Sequence, residues 1–158
     1  KRQDEDLNFK KYINQIVNSF RETSNKSFIL NFDQDSSPRT ISKSIEIIYG
    51  LRNFIGNAVK FAKSTVEIKI KSNDKNLEVS INDDGPGFPD DIKESLGEPY
   101  IKSKSDEVAS NAGTGLGTFL GKTLLERKSA RLSFSKDNKL GGASVKIFWK
   151  QVNLKSNF

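Results

Sequence analysis

The spacing of apolar side chains predicts an alternation of helices and strands along the chain. Residues 7–20 carry apolar side chains three and four positions apart, which is typical of an amphipathic helix. Residues 28–32 alternate between apolar and polar side chains, so we expect a strand there. A long helix is predicted over 41–63, because its apolar side chains fall on one arc of a helical wheel.

The second half of the chain adds four strands and one helix. Residues 65–72 and 77–82 alternate in the same way and are separated by a short polar segment, which predicts a hairpin. A helix is predicted at 118–128, followed by strands at 130–135 and 143–149. Because neighbouring strands mostly pair as hairpins, we expect a two-layer α/β sandwich: a mixed, largely antiparallel sheet with helices on one face.

The segment 83–117 interrupts this regular pattern. It holds six of the 11 glycines and three of the four prolines, which predicts loops. The loop at 96–114 is too long for a plain connector, and such loops in compact domains are usually lids, binding loops or disordered segments. After Ile101 it is almost without large apolar side chains, so we expect it to be mobile until a ligand orders part of it.

The composition excludes several classes of protein. A chain of 158 residues suits a single domain, whose core we place at about 27–150. The absence of Cys excludes disulfides and thiolate sites, and the absence of His excludes a Ser-His triad, an imidazole metal ligand and a phosphohistidine. No apolar stretch is long enough to span a membrane. The chain begins with Lys1 and contains no Met, so we interpret it as a piece of a longer protein.

The net charge of +6 raises the question of nucleic-acid binding. The basic residues are scattered, however, with no run longer than two. Scattered lysines usually belong to a solvated surface. We therefore expect no nucleic-acid partner.

The long helix at 41–63 has an unusual polar face. Asn53, Asn57 and Lys60 point away from the predicted core, with Phe61 beside them. Asn is a mediocre helix former, so two Asn one turn apart suggest a task for their amide oxygens. Such oxygens are hard, neutral ligands that suit Mg²⁺. The alternative is an ordinary solvent-exposed face.

Two glycine-rich motifs flank the predicted long loop. Asp83-Asp84-Gly85-Pro86-Gly87 follows a strand, where a carboxylate can accept a hydrogen bond from an exocyclic amine and glycines allow a flat ligand to approach. Gly113-Thr114-Gly115-Leu116-Gly117 precedes the helix at 118–128, where successive N–H groups can hold a phosphate. The alternatives are a plain turn and a flexible hinge with a helix cap.

Together and in this order, the three motifs resemble the ATP-binding domain of sensor histidine kinases. Asn53 to Phe61 resembles the N box, and the other two motifs resemble the first and second glycine boxes. The resemblance covers about residues 44–149 and implies the Bergerat ATP-binding sandwich, shared with gyrase, the Hsp90 chaperones and MutL, with 96–114 as the ATP lid. The segment 96–100 looks like the corresponding segment of the redox-responsive RegB type.

The resemblance implies a role for each residue of the N box. Asn57 would bind Mg²⁺, and Asn53, one turn earlier, would face the phosphates or the water shell of the metal. Lys60 would approach the phosphates, so Asn53 and Lys60 are the expected catalytic residues. Phe61, where the family commonly has Tyr, would flank the adenine or ribose. Asp83 of the first glycine box would accept from the adenine amino group and select ATP over GTP.

The resemblance also assigns the glycine boxes and the lid. Gly85 and Gly87 would let the backbone pass close to the base, and Lys102 or Lys104 of the lid would reach the γ-phosphate. Gly142 fits the last glycine box, although we assign no adenine contact to the residues after it. The phosphates would be wrapped by the second glycine box, with backbone donors in Leu116 and Gly117: Gly113, Thr114, Gly115, Leu116 and Gly117.

The implied activity is transfer of the γ-phosphoryl group of ATP to a histidine on a separate dimerisation domain, for relay to a response regulator. The chain has no His, so that acceptor must lie elsewhere in the parent protein. The resemblance also implies a cytoplasmic domain that is monomeric by itself, within a homodimeric parent anchored in the inner membrane. The Cys associated with redox sensing in the RegB type is absent.

Two other classes share this fold. One is an ATPase of the chaperone, topoisomerase or mismatch-repair kind, and the other is a nucleotide-binding regulatory module without transfer. The ATPases place a Glu one turn before the metal-binding Asn to activate water. Here that position is Asn53, whose amide cannot take a proton. All three motifs have their characteristic residues, which disfavours a regulatory module without transfer. We therefore expect a kinase, and because of Asn53 we expect it to hydrolyse ATP poorly.

Overall fold

The computed structural model describes most of the two predicted layers. The lid at 96–114, with Lys102, Lys104, Gly113 and Thr114, lies outside the described residues. Within helices and strands, the side chains of 6–8, 40–42 and 115–119 are also outside the description. The described residues are 6–33, 40–42, 44–73, 75–88, 115–136 and 139–150.

The described residues form three helices and seven strands. In chain order these are β1 (Asp6–Asn8), α1 (Phe9–Arg21), β2 (Ser27–Phe32), β3 (Thr40–Ser42), α2 (Ile45–Phe61), β4 (Thr65–Ser72), β5 (Asn76–Asp83), α3 (Gly115–Glu126), β6 (Arg131–Ser135) and β7 (Ser144–Lys150).

Five strands form one mixed sheet in the order β2-β4-β5-β7-β6. Only β2 and β4 are parallel, and every other neighbouring pair is antiparallel. The predicted hairpins β4–β5 and β6–β7 are present. The predicted two-layer sandwich with a largely antiparallel sheet is therefore confirmed.

The core lies between one face of this sheet and the helices. Trp149 of β7 is fully buried, and its ring meets Phe9 of α1 edge to face, with 5.9 Å between the centroids. The side chains of α2 that were predicted to face the core are buried, except that Ile48 is only half-buried. The fully buried large side chains are Trp149, Phe9, Ile13, Ile16, Ile47, Leu51, Ile55, Ile68, Leu77 and Ile81. No helix in the described part of the chain is long and apolar enough to cross a membrane.

All three predicted helices have different bounds in the structure. Helix α2 begins at Ile45 rather than at 41, because 40–42 pair with β1 and the side chain of Ser44 accepts the N–H of Ile47 as an N-cap. The same pairing makes 6–8 a strand before α1. Helix α3 spans 115–126 rather than 118–128, so its first turn includes residues expected in the loop.

Two glycines allow α2 and α3 to approach each other closely. A Cβ on Gly50 would lie 2.5 Å from Cγ of Leu125, and a Cβ on Gly121 would lie 2.9 Å from the ring of Phe54. The two contacts run in opposite chain directions along the helices. The first turn of α3 is therefore directed toward the part of α2 that carries Asn57.

Candidate functional site

Asp83, the last residue of β5, is a buried carboxylate held by backbone groups. Its side chain is only 5 % exposed, and its Oδ1 accepts the N–H of Gly85 at 2.8 Å and the N–H of Ala143 at 3.2 Å. Its main chain exchanges hydrogen bonds with Ala143 and Gly142, both at 3.0 Å. Among the described residues, none is hydrogen-bonded to Oδ2. The carboxylate is thus fixed through one oxygen, and the other can accept from a ligand.

The environment of Asp83 disfavours its charge. Burial is the largest influence on the pKa of the Asp83 carboxyl, and the pKa is raised although the N–H groups of Gly85 and Ala143 act to lower it. Nearby Asp84 adds to the rise, and Lys26 opposes it. A buried carboxylate in this condition is typical of a functional position, because a structural role would be served better by a neutral side chain.

Two glycines bring three chain segments together around Asp83. A Cβ on Gly85 would overlap the carbonyl oxygen of Phe61 at the end of α2. A Cβ on Gly142 would lie 2.5 Å from the carbonyl oxygen of Asp83 and 2.6 Å from the nitrogen of Gly85. Gly87 has a φ of +85°, a conformation that favours glycine. The first glycine box therefore packs directly against α2 and against the turn before β7.

The N-box residues lie on the face of α2 that turns away from the core, as predicted. Asn53, Asn57 and Phe61 are half-buried, and Lys60 is exposed. The Nζ of Lys60 lies 5.5 Å from the centroid of the Phe61 ring. Because Gly85 contacts the backbone of Phe61, the structure brings the N box and the first glycine box together.

The second glycine box is described only in part. Gly115, Leu116 and Gly117 form the first turn of α3 instead of the loop before it. The first N–H groups of a helix have no partner within the helix, so this turn can still bind an anion. No acidic side chain lies in that turn, which would otherwise repel a phosphate.

The donor set near α2 fits Mg²⁺ bound together with phosphates. In the described ranges there is no group of three His, Cys, Asp or Glu side chains that could hold a metal ion by itself. The half-buried amides of Asn53 and Asn57 could supply one or two oxygens. Mg²⁺ keeps several waters and takes further oxygens from phosphates, so a sparse set of protein ligands suits it.

Sequence reasoning missed three residues that build this site. Asp84 lies in the first glycine box and has no role predicted from the sequence, yet its carboxylate accepts hydrogen bonds from Lys63, Ser64 and Thr65. The N–H of Ala143 holds Asp83, and the ammonium group of Lys26 donates to the carbonyl of Ala62. Each contact joins residues at least 19 positions apart, so no local pattern signals it.

Much of the chain is similar in sequence to known proteins. Residues 43–153 match the family described as histidine kinase-, DNA gyrase B- and HSP90-like ATPases. Over 106 residues the chain is 41 % identical to the sensor histidine kinase RegB of Cereibacter sphaeroides, a match that covers 64 % of this chain and 23 % of that protein. Over 87 residues it is 32 % identical to the sensor histidine kinase CssS of Bacillus subtilis, covering 55 % and 18 %. The chain thus spans less than a quarter of the length of these relatives.

Solved structures show the same fold. The nucleotide-free catalytic domain of the histidine kinase ThkA superposes with a TM-score of 0.74 at 19 % identity, covering 92 % of this chain and 96 % of that one. The mycobacterial sensor histidine kinase MprB gives a TM-score of 0.71 at 18 % identity, with the same coverage.

Proposed function

The chain belongs to the family of histidine kinase-, DNA gyrase B- and HSP90-like ATPases, and on that premise we propose that it is the ATP-binding catalytic domain of a sensor histidine kinase. It binds Mg-ATP and transfers the γ-phosphoryl group to a histidine on a separate dimerisation domain, for relay to a response regulator. The relatives RegB and CssS, both named sensor histidine kinases, support this assignment.

The observation that carries the proposal is the arrangement of Asp83. Its Oδ1 is occupied by two backbone N–H groups, which leaves Oδ2 to accept from the amino group of adenine. Guanine would present a carbonyl oxygen at that position, and two acceptors would face each other. Leaving a buried polar group unpaired costs about 1–3 kcal/mol, and more for a charged group. Asp83 therefore selects ATP over GTP.

The phosphates lie between α2 and the first turn of α3 in this proposal. Asn57 is the Mg²⁺ ligand, Asn53 faces the phosphates or the metal's water shell, and Lys60 supplies a positive charge. When bound, Mg²⁺ neutralises phosphate charge. The packing of α2 against α3 supports this placement, because it directs the N-terminus of α3 toward Asn57. Lys102, Lys104, Gly113 and Thr114 remain proposed phosphate contacts.

The chemistry favours transfer over hydrolysis. Water needs a proton acceptor to become a good nucleophile, and the amide of Asn53 cannot take a proton. An enzyme that delivers its phosphoryl group to a protein gains from slow hydrolysis. We also propose that the parent protein is a membrane-anchored homodimer whose catalytic domain faces the cytoplasm, and that the phosphoryl acceptor comes from its dimerisation domain, since this chain has no His.

Calorimetric titration and a phosphate-release assay test the proposal. We expect the isolated chain to bind ATP more tightly with Mg²⁺ than without it and to release little phosphate. Added to the dimerisation domain of its parent, it should phosphorylate the acceptor histidine. Rapid phosphate release by the isolated chain would contradict the kinase assignment and favour an ATPase of the chaperone kind.

A further inference from the structure

The segment between α2 and β4 is held by two charged side chains from other parts of the fold. We call Ala62–Thr65 the α2–β4 joint. Oδ1 of Asp84 accepts the N–H groups of Lys63 at 2.8 Å, Ser64 at 3.0 Å and Thr65 at 3.2 Å, and Oδ2 accepts the hydroxyl of Ser64 at 2.8 Å. From another element, the ammonium group of Lys26 donates to the carbonyl of Ala62.

These bonds begin where the strand ladder stops. The last paired residues of β4 and β5 are Val66 and Asp83. Thr65 and Asp84 lie one residue beyond this terminal pair. There the side chain of Asp84 accepts hydrogen bonds from the N–H groups of Thr65 and of the two residues before it. The carboxylate therefore extends the connection between β4 and β5 into the end of α2.

Asp84 thus connects the two halves of the proposed nucleotide site. On one side it is bonded covalently to Asp83, which reads the base. On the other side its carboxylate holds the joint that follows directly from Lys60 and Phe61. Gly85 completes the connection, because its backbone lies against the carbonyl oxygen of Phe61.

We propose that Asp84 is a positioning residue for nucleotide binding, which fixes Asp83 and the glycine turn after it relative to the end of α2. One nucleotide can then meet Asp83 with its base and Asn57 and Lys60 with its phosphates. The inference rests on the proposed function, since it concerns the same site. Asp84 need not touch the nucleotide, because it acts through Asp83 and through the α2–β4 joint.

A purely structural role for Asp84 makes a different prediction. If Asp84 only stabilised a surface turn, its removal would lower the melting temperature and leave the affinity of the folded protein for ATP unchanged. If it positions Asp83, its removal weakens ATP binding, and that effect depends on Asp83 being present. A double-mutant cycle separates the two, because coupled residues give non-additive effects.

The test uses Asp84→Ala, with Ser64→Ala as a matched control that removes one hydroxyl donor and keeps the three N–H bonds. ATP affinity is measured by calorimetry with Mg²⁺ at a temperature where circular dichroism shows each variant folded. We expect Asp84→Ala to weaken binding about tenfold and Ser64→Ala to change it less than about twofold. In an Asp83→Asn background, Asp84→Ala should add less than about twofold.

Wild-type affinity in folded Asp84→Ala, or an undiminished tenfold loss in the Asp83→Asn background, would overturn the proposal. Should Asp84→Ala fail to fold, Asp84→Asn replaces it. Asn keeps the Oδ1 acceptor but loses the charge and the Oδ2 acceptor of the Ser64 hydroxyl, so the loss of ATP affinity should be smaller and should again disappear in the Asp83→Asn background. Wild-type affinity in folded Asp84→Asn would then overturn the proposal.

Amide hydrogen exchange of residues 63–65 without nucleotide distinguishes this inference from the proposed function. We expect these amides to exchange at least about fivefold faster in Asp84→Ala than in the wild type. Equal exchange in the two proteins would remove the contact on which the inference depends, even if ATP binds. If the wild type binds no ATP, the proposed function and the positioning role fail together, and faster exchange in Asp84→Ala would leave Asp84 as a structural residue.

Discussion

Asp83 and Asp84 are adjacent carboxylates with opposite environments. Asp83 is buried at the end of β5, and burial raises its pKa despite two N–H donors. Asp84 is partly exposed, and although its slight burial acts to raise its pKa, hydrogen bonds from Ser64, Thr65 and Lys63 lower that pKa to about 2. In our proposal Asp83 keeps one oxygen for a ligand, whereas both oxygens of Asp84 accept hydrogen bonds within the fold.

The two carboxylates contribute to stability with opposite signs. The folded state raises the pKa of Asp83, so its ionised form is less favourable folded than unfolded, and this cost disappears when the group is protonated at low pH. The folded state lowers the pKa of Asp84, so its contribution is fully present above the ordinary value of 3.8 and is lost as the pH falls toward 2. Substitutions at the two positions should therefore act differently on folding stability.

The largest effect should come from adding a side chain at Gly142, which lies directly against Asp83. A Cβ at Gly142 would meet backbone atoms of Asp83 and Gly85, which cannot move aside as a flexible side chain could. We expect Gly142→Ala to lower the free energy of unfolding by about 3 kcal/mol and to abolish detectable ATP binding. Chemical denaturation and calorimetry measure both.

Gly141→Ala is the control, since a Cβ there meets nothing within 4 Å and the substitution only strains a φ of +92°. It should lower stability by about 1 kcal/mol and retain ATP binding. Equal effects of Gly142→Ala and Gly141→Ala would show that close packing of residue 142 against Asp83 is not needed for stability or for ATP binding.

Asp83→Asn should affect binding without harming the fold. Oδ1 of the Asn side chain can still accept from Gly85 and Ala143, while its amino group replaces the acceptor that faces adenine. We expect ATP affinity to fall at least about tenfold, which corresponds to about 1.4 kcal/mol. The melting temperature at pH 7 should stay the same or rise, because a buried charge has been removed. A clear loss of stability would show that Asp83 serves the framework.

The sequence allowed the repetitive elements to be predicted and missed those that depend on distant pairing. The eight-residue alternation of β4 gave its bounds, 65–72, without error, because a buried face imposes period two. The strands Asp6–Asn8 and Thr40–Ser42 are too short to show a period, and each exists only because the other pairs with it. The sequence pattern therefore assigns most of each strand to the helix that follows it.

The same distinction holds within the site. Asp83 and Gly85 could be proposed as site residues from one motif, because a carboxylate at a strand end and a glycine in the turn after it are local features. The N–H of Ala143, which fixes Asp83, comes from 60 residues away, and Asp84 reaches Lys63 across 21 residues. Such partners depend on how β7 and the α2–β4 joint fold back, which no local pattern contains.

Asp84→Ala should lower stability in addition to weakening ATP binding, whereas Asp83→Asn should weaken binding alone. Asp84→Ala removes the acceptor for three backbone N–H groups, which are near enough to the surface to bind water instead. We expect the free energy of unfolding at pH 7 to fall by about 1 kcal/mol. Thermal denaturation should then show a melting temperature about 2–4 °C lower. An unchanged melting temperature would contradict the framework role of Asp84.

The smallest effect is the pH dependence of the stability that the Asp84 carboxylate contributes. Compared with Asp84→Asn, the wild type should keep a constant stability advantage above pH 5 and lose it between the ordinary pKa of 3.8 and the lowered value of about 2. Urea denaturation of both proteins from pH 7 to pH 2.5 measures this difference. A stability advantage that grows as the pH falls would contradict a lowered pKa of Asp84.

The central claim, that Asp83 reads adenine, is tested most directly by calorimetric titration of the wild type and Asp83→Asn with ATP and with GTP in the presence of Mg²⁺. We predict that the wild type binds ATP at least about tenfold more tightly than GTP, and that Asp83→Asn reduces or reverses this preference because its amino group can donate to the guanine carbonyl. Equal affinity of the wild type for both nucleotides, or an ATP preference that survives in folded Asp83→Asn, would contradict the claim.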